Sequence, residues 1–130
     1  MLAVDTNVLL RLLVDDPDAP GQCATARERV KGEERLLVPF VALVETVWVL
    51  RESYGFTKAQ IIGVFARLLE NHRYQIANGK VFADALTSFL RANVDFADCA
   101  IHAEARRAEA GLLTFDRMLQ RLEGVEVLRA

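Results

Sequence analysis

A chain of 130 residues, 52% hydrophobic and 26% charged, is sized for a single domain with a substantial core, expected here over residues 1–130. Sixteen Lys and Arg against 18 Asp and Glu, a net charge of −2, exclude a global positive field, so a nucleic-acid partner needs its basic residues gathered locally. The longest apolar stretch, Leu36 to Leu50, holds Pro39 and Glu45 and is too short to span a membrane. No basic, apolar leader precedes Asp5, and Cys23 and Cys99 form no CxxC pair, so a cytoplasmic protein with free thiols is expected.

The chain opens on Leu2-Ala3-Val4, the length of a buried strand, followed by Asp5-Thr6-Asn7 and the apolar run Val8-Leu9-Leu10. This pattern predicts strand, acidic turn and a helix from Asn7 to Val14, ended by Asp15-Asp16-Pro17. A half-exposed helix is expected from Asp18 or Pro20 to Lys31, closed by Gly32, and a second buried strand at Leu36-Leu37-Val38. From Val41 to Glu52 apolar residues cover most of a helix, which predicts that it is largely buried. Thr57 with Gln60 predicts a capping box for the next helix, and Tyr74-Gln75-Ile76 a short strand.

Val81, Phe82, Ala85, Leu86, Phe89 and Leu90 recur at helical spacing as far as Asn93. A further helix is expected from Asp95 to Ala110 with Gly111 at its C′ position. Leu112 to Phe115 reads as a strand, Arg117 to Leu122 as a short helix, Gly124 as a turn and Val125 to Leu128 as a last strand. Alternation of strand and helix predicts an α/β fold, a three-layer α/β/α sandwich on a central parallel sheet of four to five short strands.

The chemistry-bearing residues are acidic. Asp5 and Asp116 each follow a strand directly, so in a parallel sheet both leave its carboxyl edge, where such sheets bind ligands; N-capping of the next helix is the alternative duty for each. Glu45 interrupts an apolar helix and, if buried, needs a cation, whether Arg or metal. Asp95 and Asp98 lie one turn apart at a helix start; capping accounts for Asp95, whereas Asp98 sits among apolar and small residues. His102 is expected to be structural, and neither it nor His72 has zinc-ligand spacing.

Two carboxylates about 4 Å apart repel by roughly 4 kcal/mol at an effective dielectric near 20, so several gathered at one edge call for a divalent cation. All-oxygen donors select Mg²⁺ or Mn²⁺ over zinc. Water activated at such an ion and directed at phosphorus is phosphodiester hydrolysis.

With Asp5-Thr6-Asn7 after the first strand, Glu45 in the third helix, Asp95-Phe96-Ala97-Asp98 opening a late helix and Thr114-Phe115-Asp116 after the next strand, the chain resembles the PIN-domain ribonucleases. Among these it is most similar to the VapC-type toxins of prokaryotic toxin–antitoxin pairs. The resemblance runs through the whole chain and implies a Mg²⁺- or Mn²⁺-dependent endoribonuclease with a PIN-like fold. Carried over residue by residue, it makes Asp5 and Asp98 the principal metal ligands and catalytic residues, completed by Glu45 and Asp116. Asn7 and Thr114 would orient carboxylates or water, and Asp95 matches a frequent acidic position. The resemblance further implies a homodimer and a cognate antitoxin laid across the first helices.

A cut by water leaves a 5′-phosphate and a 3′-hydroxyl. The other readings are a non-catalytic PIN-like scaffold that binds RNA or a partner, DNA as the substrate, and a Mg²⁺-binding phosphoacceptor receiver domain. The last fits poorly, since one Asp rather than two follows the first strand and the lysines are Lys31, Lys58 and Lys80. Arg11, Arg51, Arg106, Arg107 and Arg117 are candidate phosphate contacts or, equally, solvated helix faces.

Overall fold

Five short strands, all paired in parallel, carry the fold, three in one sheet and two in another. The computed structural model describes residues 1–130, which divide into two compact units, residues 1–77 and 78–130. No helix is long and apolar enough to cross a membrane.

In the first unit the order is β1 (Leu2–Ala3), α1 (Thr6–Leu13), α2 (Pro20–Val30), β2 (Leu36–Val38), α3 (Phe40–Glu52), α4 (Lys58–Glu70) and β3 (Tyr74–Ile76). The sheet runs β1-β2-β3, with Leu2 opposite Leu36 and Leu36 opposite Tyr74. Central β2 is the buried strand: Leu36 and Val38 are fully enclosed, along with Leu9, Leu43, Leu50, Ile61 and Phe65. The sequence pattern favours β1 as an equally buried strand. Instead β1 is an edge of this sheet, with Leu2 and Ala3 exposed and only Val4 enclosed.

Local signals set the helix boundaries. Pro20 stands in the first turn of α2, where its missing N–H costs nothing. At α4 the expected capping box forms: the Gln60 N–H donates to Thr57 Oγ1 (3.1 Å) and the Thr57 N–H to Gln60 Oε1 (2.8 Å). Such a cap contributes about 1 kcal/mol. The C-terminal end of α2 is held from a distance, by Arg73 donating to the Val30 and Glu33 carbonyls.

A second tie joins α1 to the end of α3. Arg11 donates to Gln22 Oε1 (2.8 Å) and to the Tyr54 hydroxyl (2.9 Å), and Tyr54 donates to Asp16 (2.7 Å), which also pairs with Arg11. The Tyr54 hydrogen bond, the Asp18 backbone N–H and the Arg11 charge together hold the Asp16 carboxyl below its ordinary range. Asp16, to which the sequence assigns no duty, is thus a structural anchor.

The second unit contains α5 (Gly79–Arg91), α6 (Phe96–Arg107), β4 (Leu112–Thr114), a 3₁₀ turn (Arg117–Arg121) and β5 (Val125–Val127). Helices α5 and α6 close on an aromatic trio: Phe96 meets the Phe82 and Phe89 rings at centroid distances of 5.4 and 5.5 Å, both edge-on. Each such pair adds about 1 kcal/mol beyond its area burial. His102 is buried and donates from Nε2 to the Glu123 carbonyl (2.7 Å), the structural duty expected of it.

Helix α6 ends earlier than its sequence suggests. Glu109, with φ of 57°, takes the left-handed position, while the Ala110 N–H returns to the Ala105 carbonyl and the Glu109 N–H to that of Arg106. That is a Schellman closure, with Glu109 at the position assigned to Gly111. Gly111 is then released to begin β4, whose Leu112 N–H pairs with the Gly124 carbonyl.

Candidate functional site

Both units place carboxylates where a strand passes into a helix or turn. In the first, the chain leaves β1 through Val4, whose N–H reaches the Leu37 carbonyl, and Asp5 becomes the N-cap of α1, accepting from the Val8 N–H at 3.0 Å. The expected capping role of Asp5 is therefore real. It engages one carboxylate oxygen, Oδ1, and leaves an exposed acid at the end of the strand.

The next residue, Thr6, donates from Oγ1 to Glu45 Oε1 at 3.0 Å. One hydroxyl thus holds the α3 carboxylate beside the strand end that carries Asp5. Glu45 itself departs from expectation. It is exposed, not enclosed, because it shares a solvent-facing stripe of α3 with Val41 and Trp48, which are 68% and 63% exposed. The buried polar residue of α3 is its neighbour Thr46, satisfied within the helix by the Ala42 carbonyl at 2.6 Å. Burial therefore imposes no cation on Glu45; its position beside Thr6 is what marks it. Asn7 is exposed and lines, with Asp5, Val8 and Arg11, a groove of about 550 Å³ against α2.

In the second unit Asp95 stands at the N-cap position of α6, yet its side chain makes no capping bond. The sequence assigns Asp95 chiefly to capping; the structure leaves its carboxylate exposed and available. Asp98, in the first turn, is half-buried. Its carboxyl is pushed above the usual range, first by burial, then by the negative charges of Asp95 and Asp116. Asp116 follows β4 and caps the 3₁₀ turn, accepting from the Met118 N–H at 2.9 Å. Its own N–H donates to Thr114 Oγ1 (3.0 Å), so Thr114 fixes the loop on which Asp116 sits.

The first unit thus brings Asp5 and Glu45 together through Thr6, and the second puts Asp95 and Asp116 within electrostatic reach of Asp98. Thr6 is the site residue that sequence reasoning passes over. Its hydroxyl meets a residue 39 positions away, and no local pattern announces that.

Neither unit by itself assembles three ligating side chains into a cage for an ion. The donor chemistry nevertheless suits a hard divalent cation. All the groups are carboxylates, Asp98 is destabilised as an anion, and no Arg neutralises it. Mg²⁺ is ordinarily held by one or two carboxylates together with water and substrate phosphate, so a ready-made cage is not required.

A family model for the PIN domain matches residues 2–125, through both units, and the chain belongs to the PIN domain family. Among solved structures it is similar to the Mycobacterium tuberculosis VapC20 toxin, a sarcin-ricin loop cleaving toxin. The two share 17% identity with a TM-score of 0.46, over 99% of this chain and 100% of that one. No curated protein matches the chain.

Proposed function

We propose that the chain is a Mg²⁺- or Mn²⁺-dependent endoribonuclease, the toxin of a prokaryotic toxin–antitoxin pair, working as one nuclease domain over residues 1–130. The observation that carries this reading is Asp98, a carboxylate left without a hydrogen-bond donor and repelled by Asp95 and Asp116, in a PIN domain. The motifs Asp5-Thr6-Asn7, Glu45, Asp95-Phe96-Ala97-Asp98 and Thr114-Phe115-Asp116, in the order found in VapC-type toxins, support the toxin assignment. A cytoplasmic homodimer restrained by a cognate antitoxin belongs to the same proposal.

Asp5 and Asp98 would be the principal ligands, with Glu45 and Asp116 completing the set. When bound by these carboxylates, a divalent ion would offset their mutual repulsion and would supply Lewis acidity toward the phosphodiester and water. The chain's own groups do the rest. Thr6 orients Glu45, and Thr114 steadies the Asp116 loop. Glu45 or Asp116 accepts a proton from the attacking water. The new bond joins the water oxygen to phosphorus, the bond to the 3′-oxygen breaks, and that oxygen leaves as a hydroxyl.

The test is incubation of a cellular RNA pool with the purified protein in Mn²⁺, in EDTA, and with Asp98→Asn in Mn²⁺, mapping 5′ ends. Discrete 5′-phosphate ends confined to the wild type with metal are expected. Products ending in a 2′,3′-cyclic phosphate would overturn attack by water. Identical end patterns in all three samples would leave a non-catalytic scaffold as the better account.

A further inference from the structure

Four of the five arginines that the sequence offers as phosphate contacts are occupied within the fold. Arg11 is held by Gln22, Tyr54 and Asp16, Arg51 by the Phe56 carbonyl, Arg106 by Glu123 and Arg107 by Asp84. Arg117 alone has no such partner. It lines a groove of about 910 Å³ between the 3₁₀ turn and the chain that continues β5, together with Arg129, Gln120 and Phe115. Arg129 is likewise without an ion pair, and no acidic side chain lines the groove.

Pairing of β4 with β5 fixes this wall. Thr114 stands opposite Val127, and the Leu128 N–H donates to the Thr114 carbonyl at 2.7 Å, which keeps the residues after β5 alongside Phe115. Phe115 is 69% exposed, which leaves an aromatic face open to a stacking partner. It immediately precedes Asp116 in the chain.

A flat apolar face beside two free guanidinium groups and an amide complements a single-stranded polynucleotide. Bases stack on aromatic rings whatever their identity, arginines take the phosphates, and a Gln can read a base edge. No acidic side chain of the groove repels a polyanion, and its two arginines have no counter-charge within the fold, which a run of phosphates supplies. We infer that this groove is a single-strand RNA subsite, with one base stacked on Phe115 and the flanking phosphates on Arg117 and Arg129. Phe115 immediately precedes the proposed catalytic acid Asp116 in the chain. The inference rests on the nuclease reading for the choice of RNA.

Binding in the absence of cleavage separates the two ideas. The probe is a fluorescein-labelled, mixed-sequence single-stranded RNA 12-mer, titrated with the full chain in EDTA and followed by anisotropy at several salt concentrations. Phe115→Ala is expected to weaken binding about tenfold, with Phe115→Trp restoring it. Arg117→Gln and Arg129→Gln are each expected to flatten the dependence of log affinity on log salt by about 0.7.

If Phe115→Ala binds as the wild type does, or the two Arg variants keep the wild-type salt slope, the subsite is overturned. The same follows if the wild type fails to bind. If these effects appear while no metal-dependent cleavage is found, the groove stands and the nuclease reading falls. Cleavage with indifferent Phe115 and Arg variants gives the reverse. Because Phe115 is largely exposed, its replacement leaves the core intact, and equal melting temperatures would verify that.

Discussion

In the first unit Asp5 accepts from the Val8 N–H and Glu45 from the Thr6 hydroxyl, whereas in the second unit Asp98 has no donor and two carboxylates for neighbours. A carboxylate supplied with donors is stable as an anion, and one that is half-buried among like charges is not. The contrast teaches where the proposed cation would gain most: it would relieve Asp98, whereas Asp5 and Glu45 already have their donors.

The largest test of that contrast is Asp98→Asn. Removing the carboxylate should lower Mn²⁺-dependent cleavage about 10³-fold, the scale of losing several kcal/mol of charge stabilisation. The same substitution should raise the melting temperature of the metal-free protein by about 2 °C, a figure kept small because the group is partly screened by water. Lower activity with a lower melting temperature would break the comparison, since it would mean that Asp98 stabilises the fold.

Next in size is stabilisation by the metal itself. At a Mn²⁺ concentration about 100 times its dissociation constant the wild type should gain ~2.7 kcal/mol in thermal or chemical unfolding. Asp98→Asn should lose that gain, and Glu45→Gln should keep most of it. Equal losses in the two variants would show that the need for a cation is shared between the units.

A smaller effect is expected at Thr6→Val, which removes the donor to Glu45 and keeps the side-chain shape. Cleavage should fall about fivefold, as one hydrogen bond of orientation is worth about 1 kcal/mol, with Mn²⁺ affinity little changed. Single-turnover cleavage beside a metal titration would tell orientation from binding.

The least effect, and the one that sharpens the contrast most directly, is in the pH dependence of stability without metal. The folded state binds the Asp98 proton more tightly than the unfolded chain, whose value is near 3.8, so this group costs stability above that range. The cost disappears as pH falls through the raised folded pKa. The melting advantage of Asp98→Asn over the wild type should therefore shrink as pH is lowered from neutrality toward 4. Asp16 acts with the opposite sign: its lowered carboxyl stabilises the fold above 3.8, and that contribution is lost as pH falls through its folded value.

Local signals made much of this architecture readable from the sequence. The Thr57–Gln60 box and Pro20 opening α2 stand where the residues place them, because each depends on neighbours within a few positions; the strand Tyr74–Ile76 also forms as expected, on its distant partner β2. Rank within a sheet is different. Leu2-Ala3-Val4 and Leu36-Leu37-Val38 read alike, and only the pairing order makes one an edge and the other the centre.

The same applies to Glu45, since a helix apolar nearly all round does not disclose which stripe faces water. The acids themselves were legible as short motifs after strands, but the donors that distinguish them were not. The Thr6 hydroxyl, the tie of Arg11 to Tyr54 and the bond from Arg107 to Asp84 all connect residues distant in the chain.

The strand pairings also set an order in time. The first sheet joins Leu2 to Leu36 and Leu36 to Tyr74, partners 34 and 38 positions apart, whereas Leu112 and Val125 are 13 apart. Distant pairings close slowly and near ones quickly. Synthesis from the N-terminus, however, delivers the strands of the slow sheet before those of the fast one. The sheet whose pairings close slowly is thus the first to be offered its strands, and the pairing of β4 with β5, which closes quickly, follows it.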